Sequence, residues 1–199
     1  MLNIIETEPD ILILYHGYND IDSYLTPNLM SDYSHSRKNL GETIWKFKLA
    51  EKMPVFPLSF LNYIAENLFP IVPRNSLIKN ITKGNRDLNI DPSPGLRIYK
   101  RNLESIINIA LARNIKVILS SFSHFLYNEI SKNKLHNTFH EIVKKENEIV
   151  FNLSKKYNLT FVDNFKKVPK DEKYFVDSIH FSPDGTKLVA KNFADAISK

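Results

Sequence analysis

Two short stretches of this chain hold residues whose types and spacing suit acyl chemistry. In Tyr174-Phe175-Val176-Asp177-Ser178-Ile179-His180-Phe181-Ser182-Pro183-Asp184-Gly185, a carboxylate and an imidazole share one loop. A histidine acting as general base keeps one ring nitrogen free for the proton it removes. The other nitrogen donates to a carboxylate, which fixes the tautomer and stabilises the imidazolium. Asp177 and His180 have the spacing for this. Ser182 followed by Pro183 reads as a helix N-cap with proline at the first helical position. The stripe Val189, Phe193, Ile197 predicts the buried face of a terminal helix.

The second stretch follows Pro9-Asp10-Ile11-Leu12-Ile13-Leu14-Tyr15-His16, a continuous apolar run of the kind found in buried parallel strands. It stops at Gly17-Tyr18-Asn19-Asp20, and chemistry in open α/β sheets sits at such strand ends. The Asn19 amide could donate to the negative oxygen that forms when an ester carbonyl is attacked, a role in which losing one donor costs about 100- to 1000-fold in rate. Gly17 lets the backbone turn before it.

Together, Gly17-Tyr18-Asn19-Asp20 and Asp177-Ser178-Ile179-His180 resemble the third and fifth sequence blocks of the SGNH (GDSL-type) hydrolases, which include esterases, lipases, thioesterases and carbohydrate deacetylases. The resemblance spans nearly the whole chain. It implies a three-layer α/β/α sandwich with a mostly parallel, flavodoxin-like sheet, with Asn19 as oxyanion donor, His180 as base and Asp177 as its partner. The family's nucleophilic serine lies in a Gly-Asp-Ser block after its first strand, and a second oxyanion donor is a glycine after its second. Both precede the Gly-x-Asn-Asp block, which begins here only at Gly17.

The resemblance therefore leads us to expect an amino-terminally truncated member, with the nucleophile in a missing segment. Removing the serine of such a triad costs on the order of a millionfold in turnover in the protease where it has been dissected, so the chain alone would be nearly inert. The alternative is a catalytically inactive fragment, or a module that binds acyl or glycan groups. The implied substrate is a small-molecule, glycan or lipid acyl ester, and the mechanism needs neither metal nor organic cofactor.

Other residues could enter the same chemistry. Ser121 and Ser123, in the turn Ser120-Ser121-Phe122-Ser123-His124, follow a strand and are the substitute nucleophiles within the chain, though no Gly-x-Ser-x-Gly elbow surrounds them. His136 and His140 have metal-ligand spacing on a helix, but no third ligand is evident and a solvated face is preferred. Asp20 reads as a turn or capping residue, and Tyr15 and His16 as packing at the strand end.

The elements that must position these groups alternate. From Pro94, the spacing of Ile98, Leu103, Ile106, Ile107, Ala110 and Leu111 predicts a helix that ends near Asn114, before a buried strand over 115–119. A helix over 135–157 and a short strand over 159–162 follow. The chain reads as one domain, 1–199, with an insertion at about 21–91. The apolar middle of that insertion, 53–72, contains Pro54, Pro57, Glu66 and Pro70. It predicts a covering helix over about 59–69, or a lid or acyl-binding wall over the active site, and not a membrane span.

Composition narrows the classes further. The 199 residues are 43% hydrophobic, enough for one sizeable core, and contain no cysteine, which excludes disulfides, thiolate metal sites and cysteine catalysis. A reducing compartment fits, with the cytoplasm as default, although a leader or anchor could have been lost with the missing segment. The net charge of +5 is spread over pairs such as Lys144-Lys145, Lys155-Lys156 and Lys166-Lys167. Each pair reads as a solvated face beside acids such as Glu141, Glu146 and Asp171. No nucleic-acid partner is expected, and no glycine-rich phosphate loop is present. Oligomeric state is left open.

Overall fold

In the computed structural model, which describes residues 7–33, 86–126 and 133–198, three short apolar runs build a parallel sheet. These are β1 (Ile11–Tyr15), β2 (Lys116–Ser120) and β3 (Thr160–Val162), in the order β1-β2-β3. Ile13 pairs with Ile118 and Tyr15 with Ser120, while Ser120 pairs with Val162. Parallel neighbours need long crossovers, and helices supply them. A single helical turn, α1 (Ile21–Tyr24), follows β1; α2 (Ser93–Leu111) leads into β2; α3 (Lys134–Lys156) joins β2 to β3. α4 (Asn164–Lys167) and α5 (Pro183–Ile197) follow β3.

Alternation along the strands divides the side chains between two faces. Ile118 and Val162 pack with Ile11 and with Phe193 and Ala196 of α5. On the other face α2 and α3 lie against β2 and each other, with Phe151 of α3 edge-on to Phe161 of β3 at 5.3 Å. The result is helix, sheet and helix in three layers. α5 packs against β3, and Ile13 of β1 is 37% exposed. β1 is therefore only half-buried, less covered than its uninterrupted apolar run predicts.

Capping chemistry sets the ends of these helices. Pro92 and Pro94 open α2; the Asn133 side chain accepts from Leu135 N at 2.9 Å to open α3; the Ser182 hydroxyl accepts from Gly185 N at 3.2 Å to open α5. Asn114 (φ 59°) and Asn158 (φ 52°) turn the chain out of α2 and α3 into the next strands, a left-handed position that asparagine tolerates. Gly185 has a further reason to be glycine: an added Cβ would collide with the Tyr174 carbonyl oxygen.

The terminal helix differs from its predicted stripe. Val189, Asn192 and Ala196 are buried, whereas Ile197 is 40% exposed. The helix is turned to bring Asn192 inward, where its amide donates to Asn164 Oδ1 at 2.8 Å and Asn164 in turn donates to Ser120 Oγ at 2.9 Å. This satisfied polar chain ties α5 and α4 to the end of β2.

The chain divides into two compact units, Met1–Ile21 with Asp91–Lys199, and Asp22–Ile90. In the second, Arg86 pairs with Asp22 at 2.6 Å and Asp87 N donates to Leu25 O at 2.8 Å. The apolar stretch 53–72 and the helix expected at 59–69 lie outside the described residues. No helix among the described residues is long and apolar enough to cross a membrane.

Candidate active site

The loop before α5 is organised by one carboxylate. Asp177 Oδ1 accepts the backbone N–H groups of Ile179 (2.9 Å) and His180 (2.8 Å), while its Oδ2 lies 2.7 Å from His180 Nδ1. The loop is closed on itself by Val176 N donating to His180 O at 2.9 Å. Partial burial raises the Asp177 pKa, but the bonds from Ile179 and His180 outweigh it, and the carboxyl sits below its ordinary value. It is thus ionised at neutral pH. With Nδ1 engaged, Nε2 is the His180 nitrogen available to a reacting proton, and the His180 side chain is 68% exposed.

A second strand exit anchors this loop. Phe125, in the segment that leaves β2, donates its N–H to Ser178 O at 2.9 Å, and Phe181 stacks on Tyr15 at the end of β1, ring centroids 6.4 Å apart. The Asp177–His180 loop therefore sits at the carboxyl edge of the sheet, the edge from which Gly17-Tyr18-Asn19-Asp20 also leaves. Asn19 is exposed there, and no hydrogen bond joins it to His180 among the described residues. A depression of about 530 Å³ lies elsewhere, between Pro92 and the first turns of α3, and its lining holds none of the three residues.

The turn carrying Asn19 is strained. Asn19 N donates to Gly17 O at 2.8 Å, closing a three-residue turn around Tyr18, whose φ is 69°. Gly17 is buried against Phe122, and a Cβ there would meet Phe122 Cβ at 2.9 Å. Tyr18 N donates to Glu146 Oε2 at 3.3 Å. Glu146 is fully buried, which corrects its expected place on a solvated face: its neighbours Lys144 and Lys145 are exposed, but the helical turn aims position 146 at the β1 exit. The pKa of Asp20, which lies 3.8 Å from His16, is raised by burial against the opposing pull of that histidine.

Both substitute serines are enclosed. Ser121 Oγ donates to Asp163 Oδ1 at 2.9 Å and accepts from Phe165 N at 2.9 Å, a capping role at the start of α4. Ser123 is wholly buried: its N–H donates to Tyr15 Oη at 3.1 Å and its Oγ accepts from Lys170 Nζ at 2.6 Å. The Lys170 ammonium also lies over the rings of Phe165 and Phe175. Burial among these groups pulls its pKa down to about 8 against the opposing effect of Asp163. Burial pushes the Tyr15 phenol up to about 12, a little offset by the bond from Ser123. Lys170 carried no sequence signal, since its partner lies 47 positions away.

His140 engages His124. The two rings meet at 2.6 Å between His140 Nδ1 and His124 Nε2. Burial lowers His124 to about 3, helped by the charges of His140 and Lys170, and burial also lowers His140. Both are neutral at pH 7. Among the described residues, no group of three His, Cys, Asp or Glu side chains is arranged to hold a metal ion.

The fold is of the α/β class, a parallel sheet with its candidate site at the carboxyl edge. No protein-family model and no curated protein matches the chain. Among solved structures the chain is similar to a GDSL-like lipase from Bacteroides thetaiotaomicron VPI-5482, with 21% identity, 50% of each chain covered and a TM-score of 0.42. It is also similar to a protein described as an acylhydrolase from Bacteroides fragilis NCTC 9343, with 21% identity, 51% of this chain and 50% of that one covered, and a TM-score of 0.40. The matched region spans about half the length of these structures.

Proposed function

We propose that the protein is an ester hydrolase of the SGNH type, acting on a small-molecule, glycan or lipid acyl ester through an acyl-serine whose serine lies outside these 199 residues. The observation that carries this reading is the 2.7 Å contact between His180 Nδ1 and Asp177 Oδ2, made by an ionised carboxylate that also holds the loop's backbone. His180 Nε2 takes the serine proton as the hydroxyl attacks the acyl carbon, and Asn19 donates to the oxygen that becomes negative. The proton passes to the departing alkoxide. His180 then deprotonates the water that releases the acid and restores the serine.

A second reading has an observation of its own. Ser121 and Ser123 are both buried and hydrogen-bonded, which favours a catalytically inactive fragment, or an acyl- or glycan-binding module, when this chain stands alone. One experiment separates the two: exposure to a fluorophosphonate probe, with hydrolysis of short-chain acyl esters, for this chain and for a version extended upstream through a Gly-Asp-Ser block. We expect no labelling of the present chain, labelling of the extended one, and loss of its turnover in His180→Ala. Labelling at Ser121 or Ser123 of the present chain overturns the placement of the nucleophile. Full turnover in the extended His180→Ala variant overturns the mechanism.

A further inference from the structure

We propose that Glu146 and Asn147, consecutive residues on α3, are positioning residues that clamp the Gly17–Tyr18 turn and so fix where Asn19 presents its amide. The functional meaning of the clamp rests on the ester-hydrolase reading above; the clamp itself rests on geometry.

The two residues hold the exits of two strands. Glu146 accepts the Tyr18 N–H on the β1 side. Asn147 brackets the Phe122 backbone on the β2 side, accepting from Phe122 N at 2.6 Å and donating to Phe122 O at 3.0 Å. Between them, Phe122 presses on Gly17 and stacks against both Tyr15 (5.3 Å) and Tyr18 (6.3 Å). Tyr18 also meets Phe139 at 5.0 Å. Phe139 precedes Glu146 by about two turns of α3 and so shares its face.

A non-glycine residue at φ 69° costs energy and persists only where its surroundings over-determine it. Here the surroundings are a buried acceptor on one side and a pinned aromatic ring on the other. Asn19 is exposed and follows this strained residue directly, so its backbone position is set by the clamp. The Asp177–His180 loop has its own tether through Phe125 and Ser178. Loss of the clamp should therefore uncouple the amide from the imidazole without unseating the latter.

Nuclear magnetic resonance on the chain itself tests this, with butyrate as a carboxylate probe of the oxyanion position. In the unaltered chain we expect the Asn19 side-chain amide and the His180 ring signals to move together on titration. Glu146→Leu, which keeps bulk but removes the acceptor, should weaken the response at Asn19 about tenfold or more. The His180 ring signals, their tether through Phe125 and Ser178 intact, should keep their positions. Glu146→Gln retains an oxygen acceptor and should restore most of the response. A folded Glu146→Leu chain with an unchanged Asn19 response overturns the proposal. If butyrate moves neither residue in the unaltered chain, the oxyanion role of Asn19 loses its support here while the hydrolase reading stands or falls on the extended chain, and the backbone coupling of Tyr18 decides the clamp alone. Unchanged Tyr18 coupling in Glu146→Leu overturns it, and loss of the positive-φ signature upholds it.

Discussion

His180 Nδ1 lies 2.7 Å from Asp177 Oδ2, and the other oxygen of the same carboxylate holds the backbone N–H of His180 at 2.8 Å. One side chain thus fixes both the ring and the peptide that carries it. On the ester-hydrolase reading, Asp177→Asn in the upstream-extended chain should lower kcat by about 1000- to 10000-fold while KM changes little, because the amide favours the wrong imidazole tautomer. Steady-state kinetics on a short-chain acyl ester checks this, and a kcat within about tenfold of the parent would refute the orienting role.

Gly17 faces Phe122 too closely to accept a methyl group, the added Cβ meeting Phe122 Cβ at 2.9 Å and Cγ at 3.1 Å. Phe122 cannot easily retreat, since Asn147 bonds both its N–H and its carbonyl. Gly17→Ala should destabilise the fold by about 1–3 kcal/mol through overpacking, read as a lower urea midpoint at unchanged slope.

His124 makes the fold sensitive to acid. Its ordinary pKa of 6.5 falls to about 3 in the folded chain. Between those values the unfolded chain binds a proton that the folded one does not, so stability rises with pH across this window and drops on acidification. At about 1.4 kcal/mol per pH unit, moving from about pH 6.5 to about pH 4.5 should cost on the order of 2 kcal/mol from this residue. His140, also lowered, acts in the same direction. Chemical denaturation at a series of pH values should show this slope, flattened in His124→Gln.

The buried chain Ser120–Asn164–Asn192 offers a stability test remote from the reacting groups. Asn164 is wholly buried and makes a bond at each end of its amide, to Ser120 Oγ and from Asn192 Nδ2. Asn164→Ala takes the acceptor from the Asn192 amide and a donor from Ser120 Oγ, which keeps its bond to Ser121 O at 3.1 Å, and should cost about 2–3 kcal/mol. Thermal unfolding measures it, and a double variant with Asn192→Leu should recover part of the loss because one orphan is removed.

Local chemistry was legible in the residues. Ser182-Pro183 announced the start of α5, because a cap needs only an oxygen three residues before the N–H it receives, here Gly185. Asn114 and the spacing before it marked the end of α2, and the alternating elements gave the parallel α/β class. The Asp177–His180 contact was readable for the same reason: three residues apart on one loop, the two groups can reach each other whatever the rest of the chain does.

What lies across the chain was not. The amino-acid sequence by itself determined the caps, the apolar strands and the imidazole–carboxylate pair, since each is settled within a few residues. Only the tertiary structure decided that Glu146, beside two exposed lysines, turns inward to meet Tyr18, 128 residues away. It also decided that Asn192 and not Ile197 faces the core, and that Lys170 closes over Ser123. The rotation of a helix about its axis is fixed by what packs against it, and a buried polar group finds its partner only after distant strands have come into register.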